Sequence, residues 1–148
     1  MLMSSHFLRR LTGLLLILGA LVAATYPLRS ADKRIVLIAG RPSHPPGMHE
    51  FRAGALLLQK ALASVPGITV QVYDGGWPSK EVDGVRVDDS AALDNADAVL
   101  IFSDGGKGNP AIQGERAKVL DALVAKGAGL GFAHYAVEVP AGVPGEAM

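Results

Sequence analysis

The chain has 148 residues, 49% of them apolar and 19% charged, with 14 basic residues against 14 acidic ones. That balance suits one globular domain with a real core and excludes disorder; nothing in it calls for nucleic acid. There is no cysteine, which excludes thiol nucleophiles, thiolate metal centres and disulfides.

At the N-terminus "HFLRR" precedes "LTGLLLILGALVAA", a basic stretch and an apolar run that read as a secretory signal. The run is shorter than the roughly 20 residues that a bilayer-spanning helix needs. Val22 and Ala24 are small enough for a cleavage site, so residues 1–24 are expected to be a signal peptide removed after Ala24. An uncleaved N-terminal anchor is the alternative. The expected location is periplasmic or extracellular, with membrane contact only through this segment. Cleavage removes Arg9 and Arg10 and leaves a net charge of −2.

Residues 25–32 read as a linker, and the folded domain is expected over 33–148. "KRIVLIAG" is a continuous apolar run, the pattern of a strand buried on both faces. The Pro- and Gly-dense loop "RPSHPPGMHE" follows. Met48, Phe51, Ala55, Leu58, Leu62 and Val65 then recur at helical spacing, and Pro66-Gly67 ends that helix. "ITVQVYD" alternates and reads as a strand near a sheet edge. The stretch from Gly75 to Ala96 is least regular; Asp89-Ser90 would cap a short helix over "AALDNA". "DAVLIFSDG" is a third strand. In "GGKGNP" Asn109 is placed as an N-cap with Pro110 at the first helical position. The helix that follows presents Ile112, Val119 and Leu123 to the sheet. "GLGFAHYAVEVP" supplies a fourth strand ending at His134.

Strands alternating with helices imply an α/β fold with a parallel sheet and flanking helices, of the flavodoxin-like kind, in the order 2-1-3-4. Ligands in such sheets sit beyond the carboxyl ends of the strands, at the switch point. Three polar segments converge there. The first offers Arg41, Ser43, His44, His49 and Glu50, suited to acid–base work or a divalent metal; the competing reading has Ser43 and His49 only satisfying loop amides. The second, "SDGGKGNP", lacks the spacing of a nucleotide loop and is either a ligand-contacting rim or a tight glycine turn. In the third, His134 and Glu138 form an acid–base pair if a helical turn follows the strand; otherwise His134 is a structural polar group at a strand end. Tyr135 reads as packing.

Taken together, "AGRPSHPPGMHEFRAG", "YDGGWP", "IFSDGGKGNP" and "GFAHYAVEVP" resemble the trehalose-utilisation (ThuA-like) family from about Lys33 onward. The resemblance implies a class I glutamine amidotransferase-like fold and a role in carbohydrate use. Amidotransferases carry a cysteine in the turn after the fourth strand; His134 stands in that place, so cysteine-dependent activity is excluded. The resemblance implies His134 and Glu138 as catalytic residues. It carries over His44, His49, Glu50 and Asp104, and with Ser43, Gly105, Gly106 and Asn109 of the same rim loops these are the candidate contacts for a small carbohydrate ligand. His44, His49 and His134 are the candidate ligands for a divalent metal. The alternative is a non-catalytic ligand-binding or interaction module on the same fold. Asn109 and Phe51 depart from the family, which commonly has histidine and a polar residue there. Relatives continue beyond "HYAVEVP", so the chain reads as an N-terminal fragment whose C-terminal part is missing. On that reading the fourth strand is an unpaired edge, the pocket wall is incomplete, and the isolated chain is marginally stable.

Overall fold

A computed structural model describes residues 32–142. The expected signal segment, nearly all of the expected linker and the last six residues lie outside the described residues. Among the described residues no helix is long and apolar enough to cross a membrane.

The first strand, β1 (Lys33–Ala39), is the apolar run expected to be doubly buried. Its Val36 and Ile38 point to one face of the sheet, and Leu37 and Ala39 to the other, all at 3% exposure or less. Such alternation with no polar member requires cover on both sides. Helix α1 (Phe51–Leu62) covers one face, burying Phe51 and Ala55 against Leu37 and Ala39. The stripe expected for this helix is too long at both ends. Met48 and Val65 lie outside it, and Leu58 stands 40% exposed.

The chain returns as β2 (Ile68–Tyr73), parallel to β1 and at the sheet edge, as its alternation implies. Next comes a hairpin that the sequence reading does not anticipate: β3 (Ser79–Val82) and β4 (Val85–Asp88) pair antiparallel. Asp83 and Gly84 turn it, both with positive φ. The helix expected after it is a single 3₁₀ turn, Ser90–Leu93, and Asp89 makes no side-chain cap.

Strand β5 (Ala98–Phe102) pairs parallel with β1 on the side away from β2, matching Leu37 to Leu100. The helix expected from Pro110 starts later, as α2 (Arg116–Ala125); Pro110–Ile112 forms a separate 3₁₀ turn. Helix α2 buries Leu120 and Leu123 on the face carrying Val36, Ile38, Val99 and Ile101. Strand β6 (Gly129–Ala133) then pairs with β5. The sheet order is β2-β1-β5-β6, all parallel. Without the inserted hairpin this is the expected 2-1-3-4 order, in an α/β architecture with one helix on each face. Among the described residues β6 pairs only with β5.

Trp77 joins the α2-side core at 2% exposure. Its indole N–H donates to Ser90 Oγ at 3.2 Å, and the Arg116 guanidinium lies 5.0 Å from the ring centre. One aromatic side chain thus ties the segment after β2 to α2.

Candidate functional site

The carboxyl ends of β1, β2 and β5 open into a cleft of about 550 Å³ at the point where the chain direction across the sheet reverses. Its walls include Arg41, Ser43, Gly75, Gly76, Asp104 and Arg116. Two close approaches shape it. A side chain at Gly40 would run into Ser103, and one at Gly54 into the Phe102 ring, so loop and helix sit tight against the end of β5. Arg116 is committed to structure, donating through Nε and Nη2 to both carboxylate oxygens of Asp88 at 2.7 and 2.8 Å.

At the shoulder of this cleft the loop after β1 brings its histidines onto Asp104, the second residue after β5. His49 Nδ1 lies 3.0 Å from Asp104 Oδ1. His44 Nδ1 lies 3.9 Å from Asp104 Oδ2 and 2.9 Å from Ser43 Oγ. The ring centres of His44 and His49 are 3.9 Å apart, and those of His49 and His134 are 4.6 Å apart. Two imidazoles of one loop therefore meet one carboxylate, and a third, from the turn after β6, lies against His49. His49 (φ 53°) and His134 (φ 61°) both occupy the left-handed region, which costs a non-glycine residue about 1–2 kcal/mol. Backbone strain of this kind concentrates at functional sites.

Partial burial pushes the Asp104 carboxyl upward. Hydrogen bonds from Ser43 and His49, and the positive character of His49 and His44, outweigh it and hold the group below its ordinary value. Asp104 is therefore held in its anionic form.

Other expected site residues are placed differently. Glu50 spends its Oε1 on the Gly47 N–H at 2.7 Å, closing the histidine loop. Asn109, expected at the ligand, is fully buried. Its Nδ2 donates to the Ala136 and Glu138 carbonyls at 2.8 and 3.3 Å, and its Oδ1 accepts the Ala111 N–H at 3.0 Å. It fastens the loop after β5 to the turn after β6, and its N-cap role holds for the 3₁₀ turn rather than for α2. Gly106 donates its N–H to the Glu138 carbonyl at 2.9 Å, and a side chain at Gly105 would collide with Tyr135 and Glu138. These glycines fit two loops together.

The expected His134–Glu138 pair does not form: no hydrogen bond or ion pair joins them. Residues 134–137 make a 3₁₀ turn, and spacing of four brings side chains together only in an α-helix. His134 Nδ1 instead accepts the Tyr135 N–H at 2.6 Å. Tyr135, read as packing, is 49% exposed beside it. Asp104 rather than His134 joins His44 and His49 as a set of metal-type donors, all within 4.8 Å of one another. Gly75 and Gly76, which the sequence reading left unassigned, line the cleft; a glycine pair just past a strand's carboxyl end was the available signal.

Compared with protein-family models, curated proteins and solved structures, the chain has no match.

Proposed function

We propose that the chain is an exported protein of the ThuA-like kind, on a flavodoxin-like sheet. In this reading it binds a sugar or sugar derivative at the carboxyl rim and acts on it by acid–base chemistry. Four sequence segments resembling that family support the reading, and three of them meet at the rim. The observation that carries the chemistry is the 3.0 Å contact between His49 and Asp104.

A carboxylate only accepts, so His49 Nδ1 donates to it and, in the neutral ring, Nε2 keeps its lone pair. His134 is the opposite case. Its Nδ1 accepts a backbone N–H, so the neutral ring carries its proton on Nε2. These proton positions follow from the hydrogen-bond partners. Neighbouring imidazoles thus offer one acceptor and one donor. That pair matches a hydroxyl and an adjacent oxygen of a polyhydroxylated ligand. His49 takes the hydroxyl proton, Asp104 steadies the imidazolium, and His134 donates to the neighbouring oxygen.

A non-catalytic sugar-binding module is the second reading. The half-exposed His44 and the exposed His134 favour it, because the site does not exclude water. Titration of the full chain with glucose and trehalose, with product analysis, separates the two. The enzyme reading expects His49→Ala to lose about 10²–10⁴-fold in kcat/KM while ligand still binds. Binding without turnover, unaffected by His49→Ala and His134→Ala, identifies the module. Absence of any sugar binding by the folded chain overturns both.

A further inference from the structure

We propose that His44, His49 and Asp104 form a binding site for one divalent transition-metal ion of the zinc class. The inference concerns the same site as the proposed function but stands on geometry alone. The three donor atoms lie within 4.8 Å of one another, and the short contacts to the carboxylate use both Nδ1 atoms, at 3.0 and 3.9 Å. Ligands held at about 2.0–2.2 Å around a tetrahedral ion stand roughly 3.3 Å apart. The two carboxylate contacts, one to each oxygen, lie on either side of that value, and with no pair beyond 4.8 Å the widest closes by at most about 1.5 Å on an ion. Ser43 Oγ, 2.9 Å from His44 Nδ1, is a further oxygen beside the set.

Chemistry narrows the ion. Two imidazoles and one carboxylate suit zinc, cobalt or nickel, whereas calcium and magnesium require mainly oxygen donors. Three protein ligands leave a fourth position open, the arrangement of catalytic rather than structural zinc. The ion takes the place of the proton between His49 Nδ1 and Asp104, and in the neutral ring that proton moves to Nε2. His134 stays outside the set, because its Nδ1 is occupied by the Tyr135 N–H.

Calorimetric titration of the tag-free full chain with Zn²⁺ tests this. One site per chain is expected, with no comparable binding of Mg²⁺. Affinity falls at least about tenfold in Asp104→Asn and in His44→Ala, and stays unchanged in His134→Ala and His6→Ala. His44 sits on an exposed loop, so its variant reports even if Asp104→Asn fails to fold. A folded wild-type chain that does not bind Zn²⁺ overturns the proposal, as does equally tight binding by His44→Ala. Sugar titration in the presence of a chelator is a separate readout, so the metal site can fail while the sugar site stands.

Discussion

Three side chains carry the site, and each is fixed by a different physical constraint. His49 is set by a carboxylate reaching it from another strand's end, His134 by the amide of its own successor, and Asp104 by the donors around it. Asn109 shows how a fully buried polar side chain acts through others. It makes three hydrogen bonds and none of them reaches the cleft. Asn109→Ala removes the Asn109 partner of the Ala136 carbonyl and of the Ala111 amide, while the Glu138 carbonyl keeps the Gly106 N–H, at about 1–3 kcal/mol for a buried group so orphaned. Chemical denaturation is expected to show a loss of that size, with the His134 region disturbed before the β1–β2 pair. A variant as stable as the wild type would mean that the two loops are held by other contacts.

At the scale of elements, ion pairs fasten the ends of strands. The Asp97 carboxylate accepts from Lys33 Nζ at 2.7 Å and from the Arg34 amide at 2.8 Å, tying the approach to β5 to the start of β1. Asp88 ties β4 to α2 through Arg116. The hydrogen bond from Lys33, then that from Arg34, holds Asp97 below the ordinary aspartate value of 3.8; the hydrogen bond from Arg116 does the same for Asp88. Both groups bind protons more weakly folded than unfolded. The stability they contribute is present above the unfolded value and lost as pH falls through it toward the lower folded values. The denaturation midpoint is therefore expected to be level at neutral pH and to drop below about pH 4. In Asp97→Asn that drop is shallower.

The same scale explains what the sequence reveals. β1, β5 and β6 are legible because a strand covered on both faces must be apolar along its middle. The β3–β4 hairpin is not, since all eight of its residues but Ser79 are exposed and carry no buried pattern. Its Asp83-Gly84 turn was the signal that stood in the sequence, a two-residue pair able to adopt positive φ. The start of α2 is misplaced because Asn109 and Pro110 are good starting residues for a 3₁₀ turn as well.

For the whole molecule, the parallel sheet does what local spacing cannot: it sets residues 55 positions apart side by side. The rim was legible from topology, because carboxyl ends of parallel strands share one edge. The partnership of His49 with Asp104 was not, and the His134–Glu138 pairing rested on a helical spacing that a 3₁₀ turn does not provide. The central claim is that the fold gives two neighbouring imidazoles opposite tautomers, one poised to accept and one to donate. A long-range ¹H–¹⁵N spectrum of the imidazoles in the free, chelator-treated protein near pH 8 reads this directly. The account predicts a protonated Nδ1 on His49 and a protonated Nε2 on His134, with only His49 changing in Asp104→Ala, which removes its acceptor. The same tautomer on both rings, or a His49 ring indifferent to Asp104→Ala, would contradict it.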